Sequence, residues 1–197
     1  MATFRAINTV AEGLAALLRS NYRAAEFNGH ELEFRVYLAH DFAKPMTAGI
    51  SVFLYRVLSN GSLRTPPGRL ANGSARMKSQ LPLDLHFLLT IWGRDASLQH
   101  RACGWMMRTL EDTPVLPAGL LDAVAPGVFR GDETVEVVLA ELRTEDLMHL
   151  WEHLASTTYQ LSVPYVARNV RIESTEQLPP PVPVYERTFD YAVPRGR

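Results

Sequence analysis

His149-Leu150-Trp151-Glu152-His153 is the strongest chemical signal in the chain. The pattern H-x-x-E-H sets two histidines one helical turn apart, so both imidazoles can reach one zinc ion while the glutamate activates a bound water. The implied chemistry is hydrolysis. Such a centre needs a third protein ligand, which peptidases with this motif take from a glutamate on a helix well downstream. Here the stretch after His153 is short, and its carboxylates Glu173, Glu176 and Glu186 fall on a predicted strand, a loop and a proline-rich tail. At about 100° per residue, His149, Glu152 and His153 fall opposite the apolar stripe of Leu147, Leu150 and Leu154, which turns them toward solvent. Solvent-facing polar residues at this spacing arise readily without any metal, so no metal or other cofactor is expected.

Other candidates for catalysis are weaker. Asp84 and His86 are two apart on a predicted strand and share a face, but no serine or cysteine sits in a G-x-S-x-G elbow beside them. Cys103 is the only cysteine, which excludes an internal disulfide. It lies within a helical pattern next to Trp105 and reads as a small buried residue. His30, His40 and His100 stand alone, Trp105-Met106-Met107 reads as core packing, and no phosphate-binding loop, dinucleotide fingerprint or CxxC pair occurs. A non-enzymatic protein is expected.

Composition narrows the class further. Twenty Lys and Arg stand against 21 Asp and Glu, which gives no net attraction to a phosphate backbone, so nucleic acid is not an expected partner. No apolar run approaches the ~18 residues that span a bilayer, and the N-terminal apolar residues are spread at helical spacing rather than gathered as in a signal peptide. Cytoplasmic production and no membrane partner are expected. With 47% hydrophobic and 21% charged residues the chain has the balance of a folded domain with apolar area to spare for subunit contacts.

The elements follow from periodicity. Ile7, Val10, Ala11, Leu14, Leu17 and Leu18 predict a helix over Thr3–Ser20, with Thr3 as its N-cap. Leu32, Phe34, Val36 and Leu38 alternate with Glu31, Glu33, Arg35 and Tyr37, which predicts a strand with the first set buried. Ile50–Leu58 is β-rich and apolar on both faces, as in a central strand. Leu81, Leu83, Leu85, Phe87 and Leu89 share one face of the next strand. Ser97 is expected to cap a second helix carrying Leu98, Ala102, Trp105, Met106 and Leu110, which ends before Pro114. Pro117, Gly119, Pro126 and Gly127 mark an irregular connection. A strand near Thr134–Leu142 leads to Thr144, the expected N-cap of a third helix, and Val163–Glu173 reads as a last strand. The order predicts an α+β fold with a mostly antiparallel sheet and about three helices.

Two segments sit poorly inside a compact domain over residues 1–177. Residues 59–80 contain Asn60-Gly61, Pro66-Pro67-Gly68 and Asn72-Gly73, with Arg64, Arg69, Arg76 and Lys78 and no acidic residue. This is either a solvated loop, or a projecting basic arm or long hairpin that grips an acidic partner surface. Residues 178–197 begin with Leu178-Pro-Pro-Pro-Val-Pro183, a stiff extended spacer. Beyond Pro183 the period becomes two, with Tyr185, Arg187, Phe189 and Tyr191 on one face and Glu186, Thr188 and Asp190 on the other. A lone strand is unstable, so this one pairs either with its own sheet or with the edge of a neighbouring subunit.

In their order, these blocks resemble the cap-protein N-terminal domain family of extracellular contractile injection systems, the phage-tail-like particles that include the anti-feeding prophage and the Photorhabdus virulence cassettes. The matching stretches are LYRVLSN from Leu54, LPLDLHFLLT from Leu81, HRACGWMMRTLEDTPVL from His100 and LWEHLASTTYQLSVPYVARNVRIE from Leu150. The resemblance implies a fold similar to phage tail terminators and a six-fold ring that ends the inner tube and the contractile sheath. Sheath protein, tube protein and other copies of the chain are the implied partners, with another cap component as a further one. It implies no active site. A neck or tail-completion protein of a contractile-tailed phage would share the fold and is the alternative.

Overall fold

The computed structural model describes residues 2–61, 69–70, 76–77, 80–154 and 159–174, the two short pairs as backbone only. Helix α1 spans Ala6–Asn21 and buries a broad face from Ala6 through Leu18. Thr3 is not its N-cap. Arg5 holds that position without a side-chain bond, and the Thr3 carbonyl accepts the Ala6 N–H.

Strand β1 covers Glu33–Tyr37 and β2 covers Gly49–Ser59. They pair in parallel, Glu33 opposite Gly49 and Tyr37 opposite Phe53. A parallel pair needs a crossover, and residues 38–48 supply it across one face of the sheet, including a 3-10 turn at Ala39–Ala43. Two short strands, β3 (Arg69–Leu70) and β4 (Arg76–Met77), pair antiparallel within the 59–80 segment. Strand β5 (Leu81–Trp92) returns along β2, and α2 (Ala96–Asp112) follows. Asp95, not Ser97, caps α2, its carboxylate accepting the Leu98 N–H at 2.8 Å. Strand β6 (Val115–Leu116), helix α3 (Ala118–Val124), β7 (Val135–Leu139), α4 (Thr144–Leu154) and β8 (Ser162–Ile172) complete the described chain. Helix α3 occupies what the sequence presents as an irregular connection, and α4 begins at Thr144 itself. Its first turn carries Glu145 and Asp146, and Asp146 pairs with Arg143, which holds its carboxyl below the ordinary range.

The six-stranded sheet runs β1-β2-β5-β8-β7-β6, antiparallel at every junction except β1–β2. This is the expected α+β class, with four helices among the described residues rather than three. The main core lies on one face, where α1, α2 and α3 cover Ile50, Val52, Leu85, Phe87, Leu89, Ile91, Val137 and Ala167. A second, aromatic core lies on the opposite face: Tyr37, Phe42, Met46, Trp92 and Trp151. Phe42 from the 3-10 turn sits at its centre, with ring centroids 5.6 Å from Tyr37, 5.9 Å from Trp92 and 5.5 Å from Trp151. The polar tips are satisfied. Trp92 Nε1 donates to Ser51 Oγ at 2.9 Å, and the Met46 N–H donates to Tyr37 Oη at 2.8 Å.

This second core reverses two expectations for β1. Tyr37, assigned to the wet face, is 4% exposed, while Leu38, assigned to the core, is 64% exposed because the chain turns out of the strand there. Leu81 likewise lies 43% exposed at the end of β5 rather than buried beside Leu83.

Candidate assembly surfaces

Trp151 decides the orientation of α4. Its indole is buried against Phe42, Trp92 and Tyr159 and donates to Ser162 Oγ at 3.3 Å, which turns the opposite face outward. His149 and Glu152 bond each other at 3.2 Å with side chains 73% and 67% exposed, and His153 is exposed too. No third ligand joins them: among the described residues no group of three or more His, Cys, Asp or Glu converges on a metal position. Burial pushes the Cys103 thiol up, the wrong direction for a thiolate nucleophile. The Asp84 carboxylate is committed to structure, accepting the Asn169 N–H at 2.9 Å and Asn60 Nδ2 at 3.2 Å. His86 faces Tyr55.

Those Asp84 bonds tie β2, β5 and β8 together at one end of the sheet. The β5–β8 ladder slips register there, between Leu83 and Leu85, and the β2–β5 ladder slips nearer mid-strand, between Leu54 and Arg56. Asn169 adopts φ 57°, a left-handed conformation that asparagine tolerates. Replacing Asp84 with Ala leaves the Asn169 N–H without its acceptor, at an expected cost of about 1–3 kcal/mol in urea unfolding. Asp84→Asn keeps one acceptor oxygen and should lose less.

The same end roots both unusual segments. Residues 59–80 continue the β2–β5 hairpin, and their feet are pinned: the Asn60 N–H donates to the Pro82 carbonyl at 2.9 Å, and Gln80, 3% exposed, donates to Glu173 Oε1 at 2.5 Å. Leu81 pairs with Ile172, the Glu173 N–H donates to the Ala2 carbonyl, and Ala2 bridges to Ile172. Arm, tail and N-terminus therefore leave from one corner. Arg69 and Arg76 stand on the paired strands β3 and β4; Arg64 and Lys78 lie outside the described residues, as do Pro183, Tyr185, Arg187, Phe189 and Tyr191. The Asp84 clamp and the Gln80–Glu173 bond went unread in the sequence. Asn60-Gly61 signals a turn, and nothing in the spacing shows what its side chain holds.

Burial, and secondarily Arg56, holds the His86 imidazole below its ordinary range, against a smaller upward pull from Asp84. The folded chain thus resists a proton that the unfolded chain accepts. His86 contributes stability above the ordinary imidazole range, and that contribution is lost as pH falls through it toward the lower folded value. His86→Gln is expected to flatten this part of a stability profile taken from about pH 7 to 5.

The sheet edge on the β1 side is closed along only part of its length. On β1, Arg19 donates to the Phe34 carbonyl at 2.6 Å and the Leu38 N–H donates to Asp41 at 2.7 Å. Strand β1 stops opposite Phe53, so residues 54–59 of β2 have no strand beside their outer edge among the described residues. Val57 and Leu58 there are 43% and 36% exposed.

An α+β domain with a mostly antiparallel sheet, helices packed on both faces and extensions from one corner has the fold of the tail terminators. Two cryo-EM structures carry that likeness. One, the PVC sheath/tube terminator of an extracellular contractile injection system in its extended state, superposes with a TM-score of 0.62 at 16% identity over 100% of this chain and 67% of its own length. The other, the tube-terminating cap of the anti-feeding prophage, gives 0.53 at 19% identity over 92% of this chain and 60% of its own. The family described as the Pvc16 N-terminal domain matches residues 9–186, and the chain belongs to that family. No curated protein matches it in sequence.

Proposed function

We propose that the chain is a structural cap of a contractile injection particle: copies form a ring, six-fold by family resemblance, that seats on the last layer of inner tube and sheath and ends their growth. The carrying observation is the terminator fold spanning the whole chain together with membership of the Pvc16 N-terminal domain family. The reading suits the corner from which both extensions leave. A cyclic ring needs two unlike patches per subunit, and a seat on a cylinder needs projections directed to one side. The basic arm supplies an electrostatic contact to sheath or tube, the tail strand a contact between subunits, and assembly takes place in the cytoplasm before the particle is complete.

Negative-stain imaging of the expressed chain, alone and with sheath and tube proteins, tests this. Rings with a central opening, seated on cylinder ends of fixed length, are expected. A chain that stays monomeric at high concentration and ignores both cylinders overturns the proposal. Replacing Arg64, Arg69, Arg76 and Lys78 together with Ala should weaken attachment by roughly 5- to 1,000-fold at low salt, if each exposed charge contributes a few tenths to 1 kcal/mol. The difference should shrink as salt shortens the screening length to about 8 Å. Unchanged attachment at low salt removes the arm from the interface.

A further inference from the structure

We infer that the outer edge of β2 over residues 54–59 is the acceptor for a strand added from a second copy of the chain, and that the added strand is the segment around Tyr185–Val193. This deepens the proposed association of copies by naming where the tail binds, and it rests on that reading.

The acceptor argument starts from backbone. An exposed strand edge is a template for pairing, and folded proteins usually guard it. Here the β1 edge is met by Arg19, which donates to the Phe34 carbonyl, whereas the outer half of β2 has no such partner among the described residues. The exposed side chains fit the same role. Val57 lies opposite Leu85 and so shares the main-core face, while exposed Arg56 lies opposite His86 on the other face. A strand beside them needs an apolar face toward Val57 and an acidic face toward Arg56. The tail alternates in that way, with Tyr185, Phe189 and Tyr191 on one face, beside Arg187, and Glu186 and Asp190 on the other.

The donor comes from another copy because of how the tail leaves. Strand β8 ends at Ile172 beside Leu81, two strands from the outer edge of β2. Reaching its own edge means crossing about 14 Å of sheet, at ~4.8 Å per strand, and then doubling back. By sequence, the Leu178–Pro183 run favours an extended conformation of about 19 Å, and its four prolines leave it little freedom to fold back on itself. A stiff spacer of that kind suits delivery of the strand to a neighbour, where main-chain bonds give affinity and alternate side chains give register.

Hydrogen–deuterium exchange on the full chain tests this across a concentration series. Those amides of residues 54–59 that point outward, away from β5, should be slow at high concentration, at least ten-fold faster on dilution, and fast at every concentration in the full-length double variant Phe189→Asp/Tyr191→Asp. The β5 and β8 amides should stay slow throughout, which shows that the variant folds. Fast exchange at 54–59 in the parent at high concentration overturns the inference. So does protection that ignores dilution, which means pairing within one chain, or protection that survives the double variant, which means another segment lies there. Ring formation and cylinder binding are read separately by imaging. Rings without this protection sink only the strand pairing, and concentration-dependent protection without any affinity for tube or sheath sinks only the cap reading.

Discussion

Gly49→Ala is expected to destabilise the fold by about 3–5 kcal/mol, at the upper end of what single substitutions do. Gly49 opens β2 at φ 150°, a conformation that side chains rarely adopt, and a Cβ there would lie 2.0 Å from the Glu33 carbonyl oxygen and 2.7 Å from the Glu33 nitrogen. Both atoms are backbone, and Glu33 opens the parallel ladder opposite Gly49. Relief therefore means parting β1 from β2, not rotating a side chain. Met46 Sδ, 2.6 Å from the same position, belongs to the aromatic core and would have to move as well. Since a domain is stable by only about 5–15 kcal/mol, much of the variant would be unfolded near its growth temperature. Gly29→Ala is the control. Its φ is also positive, 77°, but nothing lies within 4 Å of the added methyl, so the cost should stay near 1 kcal/mol. Equal midpoint losses for the two in urea would show that the close approach at Glu33 does not matter.

The contrast between these glycines also shows what was legible in the sequence. Asn28-Gly29 announces a turn by residue type, and the structure places both at positive φ. Gly49 sits before an apolar run without any such signal, because its constraint comes from a strand separated by the whole crossover. The same division holds for the elements. Helices α1 and α2 and strands β2, β5 and β8 were readable from one-dimensional periodicity, within a few residues at their ends. The parallel β1–β2 pairing was not, since alternation fixes a face and not a partner. Tyr37 was misplaced because a pattern of apolar and polar sides presumes one wet face, and here the crossover residue Phe42 and Trp151 of α4 dry out part of the second. Of the candidate assembly surfaces, the basic arm and the tail were visible as departures from compact composition. That they share a root was not visible, because the Gln80–Glu173 bond joins residues 93 positions apart.

Ending the chain at Gln177 should leave the domain folded and remove its self-association. Among the described residues both cores draw their buried members from positions up to Val170, so no described member is lost, and the melting temperature of the dilute protein should be essentially unchanged. The tail's contribution on this account is made to another copy. Tyr185, Phe189 and Tyr191 are the residue types that anchor interfaces, each commonly contributing 2 kcal/mol or more when buried, so losing the strand should raise the concentration for half-assembly by at least about 100-fold. Closure enlarges the effect. In a ring every subunit both gives and receives a strand, so a defect repeats at each junction and the closed form fails before a single contact would. Sedimentation velocity over a concentration series measures the shift, and imaging with sheath and tube shows whether cylinders then grow past their normal length. Truncated protein that still forms rings at the parent's concentration, on particles of normal length, would place subunit contacts in the body of the domain and leave the tail without a part in assembly.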